Sequence, residues 1–208
     1  MKINILDKTL EYENRIEVLD DIFNKINHMV SSANLVFSHL NIDGIDVYED
    51  HYDYFLDNIR NIEEVKVVTK TIKEISQDII LSTIDYIDRA MPEIEILADE
   101  FYKQPSQDSW HKLIQLLEGI KWIIDSFVII DFNPELKDIV NGYEEWNLYA
   151  KDIHELSELI GEFEEILENS DFVSTADILS YEIVPLFEEM QEKLLKLISE
   201  EVDMDASR

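Results

Sequence analysis

A few side chains have types and spacings that could do chemistry. Asp108-Ser109-Trp110-His111 places an aspartate three residues before a histidine. Di-iron carboxylate bundles need an inward Glu-x-x-His on each of two helices, with two further glutamates. Here the acid is one methylene short and the motif is present once, so it reads as structural. His39-x-Asn41-x-Asp43-Gly44, with Asp50 at the twelfth place, can be laid on the calcium-loop template. That template wants Asp first and a bidentate Glu last. The chain offers His and Asp, and alternation surrounds the segment, so it reads as a hairpin turn. His28, His39, His51, His111 and His154 include no pair at four-residue spacing. No metal centre and no cofactor is expected.

Two clusters point to binding instead. Tyr48, His51, Tyr52 and Tyr54 stand among Asp50 and Asp53. Such an aromatic-acidic segment suits a peptide-docking surface, or an edge that packs onto neighbouring helices. Glu155, Glu158, Glu162, Glu165 and Glu168 repeat at three and four residues, one side of a helix. Like charges at that spacing repel modestly. The face reads as solvated, able to attract a basic partner or hold a divalent ion loosely.

Other chemistry finds no motif. There is no G-x-S-x-G elbow, Gly-rich phosphate loop or H-E-x-x-H. With no cysteine there is no thiol nucleophile, disulfide framework or Cys₄ zinc site. The 208 residues carry 47 acidic and 17 basic side chains, a net charge of −30. That charge repels phosphate backbones and anionic membrane surfaces. The most apolar stretch, Ile120 to Phe132, is broken by Lys121, Asp125 and Asp131. It falls short of the roughly 20 residues a spanning helix needs. The N-terminus has no signal-peptide core, because Ile3 to Leu6 stops at Asp7. A cytoplasmic chain is expected, without nucleic acid or membrane as partner.

The elements that carry these residues change character near residue 70. Before it, Ile3 and Ile5, then Leu10 and Tyr12, alternate with polar residues around Asp7-Lys8 and predict a hairpin. Leu19, Ile22, Phe23, Ile26, Met29 and Val30 follow helical spacing. Alternation returns with Val36, Leu40 and Ile42, then Asp43-Gly44, then Ile45 and Val47. An Asp-Gly pair between alternating runs is a strong hairpin signal, since a type I′ turn needs positive φ at both positions. After the segment His51 to Ile59, Val65-Lys66-Val67-Val68-Thr69 is β-branched and predicts a strand.

Beyond Thr71 the period is helical. Ile80, Ile84, Ile87, Met91, Ile94, Ala98 and Phe101 predict one helix, with a kink at Pro92. Trp110, Leu113, Leu117, Ile120, Ile124 and Phe127 predict a second. Leu136 through Leu167 predict a third. Ile183, Phe187, Met190, Leu194 and Leu197 predict a fourth, capped at Ser174-Thr175-Ala176-Asp177 and kinked at Pro185. Gly119, Gly142 and Gly161 within these patterns point to close helix approach or a local break.

The order hairpin, helix, hairpin, short connection, strand over residues 1–70 resembles the ubiquitin-like β-grasp superfold, in which a sheet wraps one helix. The resemblance implies a docking module. The Gly-Gly tail of that superfold's conjugated members is missing, so conjugation is not carried over. The expected fold is α+β: a small β-grasp-like domain over 1–70, then an antiparallel four-helix bundle over 71–208. A composition rich in Ile, Asn, Asp, Glu and Lys, with the Asp-Gly hairpin and long helices, loosely resembles an uncharacterised bacterial protein family.

These readings favour a non-catalytic protein-interaction module: an adaptor, chaperone-like protein or assembly regulator, monomeric or homodimeric. Its partner would be a protein, a basic one in the sense that −30 attracts cations. The alternative is an enzyme or small-molecule or metal sensor with its site in the bundle core or at the domain joint. It would use inward polar residues, for which His111, His154, Asp125 and Ser126 are candidates. An acidic mimic of nucleic acid is a third reading.

Overall fold

The structure, a computed structural model, describes residues 1–134, 136–140 and 142–205. Side chains are described except for residues 138, 164, 165, 168 and 199–205. The chain divides into two compact units, Met1–Ile75 and Ser76–Arg208. It is mostly helical, with one small mixed sheet preceding the long helices, an α+β chain.

The first unit contains β1 (Lys2–Ile5), β2 (Lys8–Glu11), α1 (Leu19–Ser32), β3 (Val36–Ile42), β4 (Ile45–Val47), α2 (His51–Asn58) and β5 (Glu64–Lys70). The sheet order is β2-β1-β5-β3-β4. The β1–β5 pair is parallel, with Ile3 opposite Val65, and the other pairs are antiparallel. Ile3, Ile5, Leu40, Ile42, Val65 and Val67 project from one face. They bury against Leu19, Ile22, Ile26 and Val30 of α1 and against Phe55, Ile59 and Ile62. Each such side chain contributes on the order of 1.5–3 kcal/mol of transfer free energy.

The Asp43-Gly44 turn forms as expected, with φ of 50° and 89°. The Asp43 carboxylate also accepts the backbone N–H groups of Glu63 (3.1 Å) and Glu64 (2.7 Å), tying the β3–β4 turn to β5. The first hairpin departs from expectation. Its turn is Leu6-Asp7, with Leu6 at φ 52°, and Lys8 already pairs with Ile5. β3 also departs. A bulge between Phe37 and His39 breaks the alternation. Val36 is therefore 37% exposed, while Phe37 packs on the core. The aromatic-acidic segment coils into α2.

From Ser76 on, the second unit is built from α3 (Ile72–Lys103), whose first residues belong to the first unit, α4 (Gln107–Asp131), the short α5 (Leu136–Ile139), α6 (Tyr143–Glu168), α7 (Phe172–Ile178) and α8 (Val184–Asp205). Pro92 lies inside an unbroken α3. Ser106 caps α4 through a reciprocal pair with Ser109. The buried positions of α4 are Leu113, Leu116, Ile120, Ile123 and Ile130. Leu116 and Ile123 thus replace the expected Leu117 and Ile124, a shift of one residue around the helix. The expected single third helix is two, broken between Ile139 and Tyr143 near Gly142.

The expected cap at Ser174 is also corrected. Asp171 is the cap: its side chain accepts from Ser174 N, and α7 starts at Phe172. A π-turn, Leu179–Ile183, joins α7 to α8 just before Pro185. Proline has no N–H for the carbonyl four residues back and its ring crowds that carbonyl, so the preceding turn widens.

Neighbouring helices meet in antiparallel order. Lys112 of α4 pairs with Glu100 of α3 at 2.9 Å, and the ring of Trp122 lies 6.4 Å from that of Tyr86. Trp146 of α6 stacks on Phe127 of α4 and donates to Asp131 at 2.9 Å. Lys193 of α8 donates to both oxygens of Asp152 in α6, at 2.6 and 2.7 Å. Among the described residues no helix is long and apolar enough to cross a membrane.

Candidate functional site

The aromatic cluster is placed by β3, β4 and α2. His39 follows the bulge and alternates with the buried Leu40, so it projects from the sheet face opposite the core. The ring of Tyr48 lies over it, centroids 4.5 Å apart and 30° tilted. Ser38 Oγ sits 3.1 Å from His39 Nδ1, and Asp46 Oδ1 sits 3.4 Å from His39 Nε2. Asp46 in turn accepts from Asn41 at 2.7 Å. Tyr48 is 63% exposed on this ledge.

His51 plays a different part. Its Nε2 lies 2.9 Å from the Val47 carbonyl oxygen, which can only accept, so Nε2 carries the proton. Its ring stands edge-on to Phe37. His51 therefore fastens the start of α2 to the end of β4. Tyr52 is exposed and its ring packs 5.8 Å from Phe23 of α1. Tyr54 is half-buried against the core. Among the described residues no ring contact joins Tyr48 to Tyr52.

Glu155, Glu158 and Glu162 are exposed on α6. His154 Nε2 lies 3.5 Å from Glu158. Glu165 and Glu168 carry side chains outside the described residues. Among the described residues no group of three or more His, Asp or Glu is arranged to hold a metal ion.

The inward polar candidates mostly face outward. His111 and His154 are exposed, and Asp125 is exposed and bound to Lys121 at 2.7 Å. Ser126 is buried, beside Thr83 and Tyr149 at an interior void of about 10 Å³. That is room for one water at most. Burial raises the Tyr149 hydroxyl pKa well above its ordinary value, with a smaller push from Asp152.

Two features of the helical unit escaped the sequence reading. A groove of about 270 Å³ runs between α3 and α4, floored by Ala90, Ile94 and Leu116 and rimmed by Arg89, Glu93 and Lys112. The outward face of α4 carries Trp122, Val128 and Ile129, with Phe132 at its C-cap, all exposed. The signal was present: Trp122-Ile123-Ile124 and Val128-Ile129-Ile130 give α4 more apolar residues than one buried stripe can take.

The fold defines a class, a helix-rich α+β chain with a five-stranded mixed sheet at its start. A family model described as "Domain of unknown function (DUF8042)" matches residues 78–193, more than half of the chain, and the chain belongs to that family. A second model, described as "TP0873 N-terminal domain", matches residues 1–71. Both agree with the resemblance to an uncharacterised family. No curated protein and no solved structure matches the chain.

Proposed function

We propose that the chain is a non-catalytic protein-interaction module, acting as an adaptor, chaperone-like protein or assembly regulator. The observation that carries the reading is Tyr48. Its large ring is mostly exposed yet held by His39, which Ser38 and Asp46 hold in turn. A pre-ordered exposed tyrosine offers contact area at small entropic cost. A sheet laid against one helix supports the β-grasp reading of residues 1–70, whose common use is docking. The antiparallel helix pairs support the reading of residues 71–208 as a four-helix bundle. The exposed Glu155, Glu158 and Glu162 and the charge of −30 favour a basic partner in the cytoplasm.

A photo-crosslinking residue in place of Tyr48, and separately of Glu158, tests the reading in intact cells. One discrete adduct at position 48 is the expected result. The absence of any adduct at both positions overturns it.

A further inference from the structure

We propose that the outer face of α4 is a docking seam for an amphipathic helix with basic flanks, supplied by another protein. The inference rests on the reading of the chain as an interaction module, but not on Tyr48. α4 has two apolar faces. One is buried through Leu113, Leu116, Ile120, Ile123 and Ile130. The other is open: Trp122 is 41% exposed, Ile129 67% and Phe132 81%, with Val128 on the flank.

Single exposed apolar residues are ordinary on a protein surface; contiguous ones mark a contact. Here positions 118, 122, 125, 129 and 132 step by four, three, four and three residues. That is the spacing that meets a second helix at a shallow angle, with side chains of each entering gaps in the other. An extended peptide repeats every two residues and does not follow it.

Charge selects the occupant. The apolar residues of the seam alternate with Glu118 and Asp125. Lys121 is engaged by Asp125 at 2.7 Å, and Glu118 is exposed with no ion pair among the described residues. A second copy of a chain carrying −30 is repelled. An anionic lipid surface is repelled too. A helix presenting Leu or Ile to Trp122, Ile129 and Phe132, and Lys or Arg to Glu118, meets both needs. Trp122, partly held by Tyr86, is the anchor, since tryptophan dominates many interface energies.

The test uses the full chain and three synthetic peptides of about three heptads. One has a Leu seam with Lys flanks, one the same seam with Glu flanks, and one is a scrambled Lys peptide of equal composition. Binding is read by anisotropy at physiological and at raised salt. The expected result is one-to-one binding of the Lys-flanked peptide, about tenfold or more tighter than the other two. Ile129→Glu and the uncharged Phe132→Ser should each weaken it several-fold, with thermal unfolding and helix content unchanged.

Equal binding of the scrambled peptide, or no binding, overturns the proposal. So does self-association that Ile129→Glu abolishes, because a second copy then covers the face. A cellular partner that crosslinks at position 48 and is retained by Ile129→Glu, together with no peptide binding, refutes the seam alone.

Discussion

The ring of Tyr86 occupies the space that a β-carbon on Gly119 would need. The side chain of Tyr86 in α3 thus lies against α4 at Gly119, and its ring stands 6.4 Å from that of Trp122. Alanine in a helix interior is ordinarily favoured over glycine by about 1 kcal/mol. Gly119→Ala should reverse that sign and destabilise by about 1–3 kcal/mol, as overpacking does. In a Tyr86→Ala background the same substitution should become stabilising. Urea unfolding of the four members of this cycle measures it.

Gly161 supplies the contrast. Nothing lies within 4 Å of a β-carbon built there, and the residue is exposed on α6. Gly161→Ala should raise stability by about 1 kcal/mol through helix propensity alone. An unchanged or lower unfolding midpoint would contradict this.

Asp152 and Lys193 join α6 to α8. Burial raises the Asp152 carboxyl pKa, opposed by the Lys193 ammonium. Burial, the largest single influence, would lower Lys193, but Asp152 and Glu189 together outweigh it and raise it. Removing one partner strands the other in a half-dry place. Lys193→Met should cost about 3 kcal/mol, and Lys193→Met with Asp152→Leu should cost clearly less. Thermal or urea unfolding of both variants decides it.

Glu100 predicts a pH dependence. The Ser109 hydroxyl and the Lys112 ammonium hold its carboxyl below the ordinary value of 4.5. A carboxyl depressed in the folded state stabilises above its unfolded pKa, and the contribution fades as pH falls through the folded value. Wild type should therefore melt above Glu100→Gln near neutral pH. The gap should close at pH values below 4.5. A gap constant down to strong acid would show that the charge of Glu100 is not what stabilises.

Much of the first unit was legible because its signals are local. Asp43-Gly44 supplies the positive φ that its turn requires, and the β-branched Val65 to Thr69 run matches a pleated strand. Leu6 at positive φ carries no such signal: leucine avoids that region, and the closing pair Ile5–Lys8 of the two-residue turn imposes it. The bulge beside His39 was hidden likewise. It inverts which of Val36 and Phe37 faces the core, a choice set by pairing with β5.

In the helical unit, period told that α4 is a helix but not which way it faces. With apolar residues around most of its circumference, Leu116 and Leu117 are equivalent in sequence. Packing against α3 and α6 chooses between them. The candidate docking residues were partly legible too. Tyr48 and Tyr52 are exposed. His51 and Tyr54 turn to fastening and packing, roles set by the bond to the Val47 carbonyl and by burial of Tyr54 against the core.

The most direct test of the account is capture from native lysate with the tagged full chain and its Tyr48→Ala variant, compared at low and at high salt. One stoichiometric protein should survive high salt on the wild-type chain and be lost from Tyr48→Ala. A diffuse set of basic proteins, washed away by salt and captured equally by both chains, would contradict it.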